Sequence, residues 1–174
     1  GLRRAGADPV VPGGRPGLAV ALGGVGLRLE DLARLYAGLA HGGTAVDLRW
    51  RDAATPGFVA REIVGDVAAW QVADILRDTP RPAGIRAEDI AFKTGTSYGH
   101  RDALAVGFDG RHVVAVWLGR ADGTPVPGVF GGDLAAPVLF SVFQRLGRPT
   151  PLPQPPAATL IVATDALPQP LRRF

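Results

Sequence analysis

The clearest periodicity in the chain lies between Leu27 and Ala40, where Leu29, Leu32, Leu35, Tyr36 and Leu39 recur at intervals of three and four. That spacing lines one face with apolar side chains and predicts an amphipathic helix, which His41-Gly42-Gly43 ends. A second helix is predicted over Val67 to Arg77, with Val67, Trp70, Ala73 and Leu76 on its apolar side, Asp66 as its cap, and Pro80 and Pro82 forbidding continuation. Between the two, Thr44 to Trp50 and Phe58 to Val64 read as paired strands turned by Thr55-Pro56-Gly57. Upstream of the first helix the chain is irregular to about Gly17, and the apolar run Leu18 to Leu22 is closed by Gly23-Gly24.

The period then changes. Ile90 to Thr96, Ala103 to Phe108 and His112 to Leu118 are short apolar runs of strand length, and Asp109-Gly110 between the last two is a hairpin signal that makes them antiparallel neighbours. His112 to Leu118 is apolar at nearly every position, the pattern of a strand covered on both faces. The chain offers it one obvious neighbour, so its other edge is expected to be open. After Gly131-Gly132 helical spacing resumes through Leu134, Val138, Val142 and Leu146, with Asp133 placed to cap and Pro137 in the first turn. Pro149, Pro151, Pro153, Pro155 and Pro156 then form a stiff extended segment of linker composition, followed by one apolar run, Thr159 to Ala163. The fold class is therefore α+β, an antiparallel sheet flanked by helices, over residues 1–148, with a Pro-rich linker from 149 to 174.

Composition narrows the functional classes. With 47% apolar and 20% charged residues in 174, the chain has the balance of a globular domain. Its net charge is +3, but the basic residues are scattered singly and form no phosphate-tracking stripe, so no nucleic-acid partner is expected. Absent cysteine excludes disulfides, thiolate metal sites and cysteine nucleophiles. His41, His100 and His112 lack metal-ligand spacing, and neither a metal nor a cofactor is expected. No run approaches the length of a membrane span. The sequence contains no methionine at all, and the chain is expected to be a piece of something longer.

Lys93 is the only lysine among 19 basic residues, a position where a compact ammonium is present in a chain that otherwise uses arginine. It opens Lys93-Thr94-Gly95-Thr96-Ser97 at the end of an apolar run. On a strand lining a cleft, Lys93 supplies charge, Thr94 and Thr96 present hydroxyls on one face, and Gly95 lets a ligand backbone approach, so a carboxylate or extended peptide could dock there. The same five residues are equally a strand running into a polar loop. Only two serines exist, Ser97 and Ser141, and neither begins Ser-x-x-Lys or Gly-x-Ser-x-Gly, so no nucleophile lies in this chain. Gly23-Gly24-Val25-Gly26 lacks the glycine pattern of a phosphate loop and reads as entry to the first helix.

The order of these pieces resembles the transpeptidase domain of class A penicillin-binding proteins, most closely their 1C branch. The resemblance runs from Ala21-Leu22-Gly23-Gly24-Val25-Gly26 through Ala69 to Leu76, Lys93 to Ser97, Arg101-Asp102-Ala103, Val106-Gly107-Phe108, Val116 to Arg120, Asp122-Gly123 and Ala135-Ala136-Pro137. Leu167-Pro168 and Leu171-Arg172-Arg173-Phe174 are similar to the start of a C-terminal module of that branch. The resemblance implies the C-terminal half of a serine acyltransferase fold of the β-lactamase and transpeptidase type. It further implies catalytic roles for Lys93 and Thr96, the latter through an oxyanion-hole N–H, and substrate binding by Thr94, Gly95, Thr96 and Ser97. The implied partners are the peptidoglycan stem peptide, β-lactams and the N-terminal half of the same domain. An acyl-serine from upstream, a glycosyltransferase domain and an inner-membrane anchor facing the periplasm would belong to the intact protein. A β-lactamase-type hydrolase and a non-catalytic wall-binding domain are the rival expectations.

Overall fold

The structure, a computed structural model, describes residues 1–45, 47–48, 60–86, 88–128 and 130–169. Helix α1 spans Leu29–Ala40, beginning after Arg28, whose extended backbone turns the chain, so Leu27, expected inside the helix, lies outside it. Strands β1 (Thr44–Ala45) and β2 (Arg61–Glu62) pair antiparallel, with Thr44 opposite Glu62. The strands are shorter than expected, since Asp47, Leu48, Ala60, Ile63 and Val64 are described and lie outside them; the turn Thr55-Pro56-Gly57 lies outside the described residues, as do Leu171 to Phe174. Helix α2 spans Asp66–Arg77. Its cap position is Gly65 rather than Asp66, which is instead the first helical residue, its carboxylate accepting from the Val67 N–H at 2.8 Å and sitting where the helix dipole favours negative charge.

Strands β3 (Ala91–Thr96), β4 (Asp102–Phe108) and β5 (Val113–Gly119) form an antiparallel sheet in the order β3-β4-β5. Alternation along the strands divides the core in two. One face carries Phe92, Ala103, Ala105 and Val116 against Leu139, Phe140 and Phe143 of helix α3 (Ala136–Leu146), with the Phe92 and Phe140 rings edge to face at 5.0 Å. The other carries Ala91 and Phe108 against Ala73 of α2 and Tyr36 and Leu39 of α1. Strand β5 is touched by α1 on one face and α3 on the other but is less covered than its composition predicts, with Val116 buried and Trp117 exposed, and among the described residues it pairs only with β4, leaving its other edge open as expected.

A further capping expectation is corrected, and two apolar runs take no regular place in the core. Asp133 does not cap α3: Gly131–Ala135 form one π-helical turn leading straight into it, and Asp133 lies inside that turn without a capping bond. The apolar run Leu18–Leu22 is a 3-10 turn with Leu18 and Leu22 almost fully exposed. Thr159 to Ala163 forms no regular element, and Leu160 is exposed.

The hairpin signal at Asp109-Gly110 holds: β4 and β5 are antiparallel neighbours, and the Asp109 N–H donates to the His112 carbonyl at 3.0 Å across the turn. Phe108 pairs with Val113, leaving Asp109 to His112 as the loop. Gly110 is needed there for space: a Cβ would collide with the Pro151 carbonyl oxygen, because the Pro-rich segment is docked against this loop. The Gly110 N–H donates to the Thr150 carbonyl at 2.8 Å, and the Thr150 N–H returns to Asp109 Oδ2 at 3.0 Å. Farther along, Trp70 Nε1 donates to the Pro153 carbonyl at 3.1 Å. Asp109, only 1% exposed, also accepts from the Arg111 and His112 N–H groups through Oδ1, and His112 Nδ1 lies 3.4 Å from Oδ2.

Burial alone would raise the Asp109 carboxyl, but the hydrogen bonds from the His112, Thr150 and Arg111 backbone and from the His112 ring outweigh it and hold the group below its ordinary value. A carboxyl whose folded value lies below its unfolded one stabilises fully above the unfolded value, about 3.9, and loses that contribution as pH falls towards the folded value. Asp109→Asn should therefore cost about 2 kcal/mol at neutral pH, since the amide turns a donor on a buried N–H. Thermal unfolding at pH 7 should show the loss. Hydrogen exchange at the Thr150 amide should accelerate in the variant and, in the parent, only on acidification.

Candidate functional site

Strand β3 carries the predicted residues to the end of the sheet. Its alternation puts Ala91, Lys93 and Gly95 on the α1 and α2 face and Phe92, Thr94 and Thr96 on the α3 face. The two threonines thus share a face, as the sequence reading requires, and the lysine occupies the opposite one. Lys93 is exposed and donates to the Thr94 carbonyl at 2.6 Å. It makes no ion pair among the described residues, and further N–H donors of its ammonium remain available to an anion. On its outer side, β3 has no partner strand among the described residues, so one row of its backbone groups faces away from the sheet.

The loop that follows is tied down residue by residue. Ser97 N–H donates to the Asp102 carbonyl at 3.0 Å, and Ser97 Oγ accepts from the Asp102 N–H at 2.8 Å, closing the β3–β4 turn. Asp102 Oδ1 in turn accepts from Trp117 Nε1 at 2.7 Å, which links the turn to β5. The Thr96 hydroxyl oxygen accepts from the Gly131 N–H at 3.0 Å. His100, with a left-handed φ of 55°, places its ring edge to face with Phe130 at 4.7 Å, and its carbonyl accepts from the Val126 N–H at 2.9 Å. Tyr98 at the tip is 98% exposed.

Gly95, Leu104 and Trp117 stand in one cross-strand row and floor a cleft of about 560 Å³. Leu22 and the start of α1, Leu29 and Leu32, form its apolar wall, and Thr96, Ser97 and Asp102 supply its polar end. Trp117 is 40% exposed in this cleft and Leu22 is 90% exposed beside it. A smaller cavity of about 200 Å³ lies between α1, α2 and the Pro-rich segment, away from β3, and its Asp74 and Arg77 neutralise each other at 2.5 Å.

Of the five predicted residues, Gly95, Thr96 and Ser97 line the cleft; Lys93 and Thr94 lie farther along β3 outside its lining, Lys93 on the face opposite the two threonines. The structure adds residues that the sequence reading did not single out for the site: Gly131, Asp102 and Trp117. Asp102 and Trp117 lie on predicted strands, but only the register, which sets Asp102 beside Ser97 and Trp117 two residues from its β5 partner, connects them. Ser141 is exposed on α3, the helix that covers the sheet face opposite Lys93.

No family model matches the chain. It is 40% identical over 161 residues to penicillin-binding protein 1C of Escherichia coli (strain K12), covering 89% of this chain and 21% of that protein. To penicillin-binding protein 1B of Haemophilus influenzae it is 31% identical over 120 residues, covering 60% of this chain and 15% of that protein. Among solved structures, penicillin-binding protein 1A from Haemophilus influenzae matches with a TM-score of 0.67 at 19% identity, over 89% of this chain and 32% of that one, which shows a shared fold. The chain spans about a fifth or less of the length of the curated relatives it matches.

Ser97→Ala should remove the hydroxyl that closes the β3–β4 turn and cost about 1 kcal/mol. The expected signature is faster hydrogen exchange at the Asp102 amide with the Ala91 to Lys93 amides unchanged. Equal exchange at Asp102 in variant and parent would mean that the hydroxyl does not hold the turn.

Proposed function

We propose that this chain, which belongs to the class A penicillin-binding proteins, supplies the substrate-binding strand and part of the oxyanion hole of a peptidoglycan D,D-transpeptidase. The observation that carries the reading is the outer edge of β3, which has no partner strand among the described residues, presents Lys93-Thr94-Gly95-Thr96-Ser97 beside a cleft and is pinned from behind by Gly131. An extended stem peptide fits such an edge as one more strand, its backbone meeting the outward-facing N–H and C=O groups of β3, of which the Thr94 carbonyl also accepts from Lys93. Gly95 leaves room for that approach.

In this reading the D-alanyl-D-alanine carboxylate, or that of a β-lactam, takes hydrogen bonds from the Thr94 and Thr96 hydroxyls in the field of Lys93. Serine Oγ from another part of the intact protein attacks the penultimate carbonyl. The Thr96 N–H then donates to the oxygen on which negative charge develops, a contribution worth roughly a hundred- to a thousandfold in rate. Collapse of that intermediate breaks the peptide bond, releases D-alanine with the serine proton, and leaves an acyl-serine for an acceptor amine to cleave. Neither serine of this chain fits the nucleophile's part. Ser97 Oγ is engaged with the Asp102 N–H, and Ser141 sits on α3 with no lysine near it in sequence. The intact protein would also hold a glycosyltransferase domain and an inner-membrane anchor facing the periplasm; among the described residues no helix is long and apolar enough to cross a membrane. Residues 149–174 would lead from the transpeptidase domain towards a C-terminal module.

Acylation by a fluorescent penicillin tests the reading. In the intact protein Lys93→Arg should lower the acylation rate at least tenfold, because a planar guanidinium directs its donors differently from a compact ammonium. Rates within a factor of about three, under half the free energy of a tenfold change, would refute the role of Lys93. This chain by itself should remain unlabelled, and a stoichiometric adduct on Ser97 or Ser141 would refute the division of labour.

A further inference from the structure

Thr96 is exposed, yet its hydroxyl oxygen is already committed to the Gly131 N–H, a buried donor thirty-five residues away. A hydroxyl has one proton to donate and accepts through lone pairs on the same oxygen. With an N–H pointing at that oxygen, the hydroxyl proton cannot lie along the same line and must point elsewhere. The bond also fixes the rotamer, because turning the side chain away would leave the Gly131 N–H buried and unpaired.

We infer that Gly131 is a positioning residue that makes the Thr96 hydroxyl a committed donor, selecting a carboxylate at the site. A carboxylate only accepts, so it complements an oriented O–H, and accepting a bond from Gly131 polarises that O–H further. An uncharged group in the same place gains less from the donor. The inference rests on the reading of β3 as the carboxylate-binding strand and adds to it the element that orients the strand's hydroxyl.

Position 131 tolerates only glycine for a reason separate from backbone angles. A Cβ there would collide with the Gly95 carbonyl oxygen and lie 2.7 Å from that of Leu104, so any side chain pushes the N–H off Thr96 or distorts β3 itself. The neighbours cannot yield: Ala135 and Ala136 behind it are fully buried, and the Phe130 ring ahead of it is seated on His100. Gly132, by contrast, opens onto free space and provides an internal control.

The test compares acylation of the intact protein by benzylpenicillin, which carries the carboxylate, and by its methyl ester, which does not. Gly131→Ala should reduce the acid-to-ester rate ratio about fivefold or more, the scale of a weakened hydrogen bond to a charged group. Thr96→Val should do the same, while Gly132→Ala and Thr96→Ser should keep the parent ratio. If Gly131→Ala slows both substrates equally, the residue is merely structural and the inference falls. Should that variant fail to fold, exchange of the Gly131 amide decides: it should be protected in Thr96→Ser and accelerated in Thr96→Val, and equal protection in both overturns the inference. A parent protein acylated by neither substrate overturns the transpeptidase reading itself, a result separable from a parent that is acylated but whose ratio ignores position 131.

Discussion

Everything in this fold hangs on β4 being buried from both sides. Ala103, Ala105, Val106 and Phe108 are each almost fully removed from solvent, and the strand is hydrogen-bonded along both edges. Its residues alternate in the service of two different cores. The small side chains Ala103 and Ala105 leave room for the Phe92, Leu139 and Phe140 layer, whereas Phe108 fills the opposite layer against Tyr36 and Ala73. A strand so enclosed cannot slip by one residue without exchanging its two sets of side chains. The register of β3, and so the place where Lys93 emerges, is set by that constraint.

The candidate site is accordingly a rigid edge and not a mobile loop. Thr96 is tied to the turn before α3, Ser97 to Asp102, and Asp102 to Trp117, so the end of β3 is fastened to two other parts of the sheet and to a helix. Pre-organisation of this kind suits chemistry in which donors must already stand where charge will develop. The apolar wall of the adjoining cleft and the exposed Leu22 beside it give the site two characters, one polar and one hydrophobic, on either side of Gly95.

How much of this was legible in the sequence follows from how local each signal is. Helix α1 could be read because Leu29, Leu32, Leu35 and Leu39 obey one period, and β3 to β5 because their apolar runs are short and separated by turn residues. The errors fall where a distant partner decides. Asp133 has the chemistry of a cap, but it lies inside a π-helical turn that begins at the buried Gly131 and runs into α3, where it makes no capping bond. Asp109-Gly110 marks the hairpin that forms but not what packs on it: the Pro-rich segment is seated against the loop, and Gly110 is required by Pro151, not by a positive φ. Lys93 to Ser97 was visible as a cluster, and resemblance gave it meaning. The hold of Gly131 on Thr96 was not visible, since a glycine and proline-rich stretch has no period and nothing local marks which strand it will cross.

The docking of the prolines changes what that segment can do for whatever follows it. A free chain of the same length would let its far end wander over a volume growing with the number of residues. Here Thr150 and Pro153 are anchored to the hairpin and to α2, so the first residues of the segment add no reach, and any free tether begins no earlier than Gln154. Shortening the tether while fixing its root raises the effective concentration of the following residues around one region of the surface and excludes them from the rest. Composition that reads as a spacer thus acts as a bracket, setting direction where a linker would only have set distance.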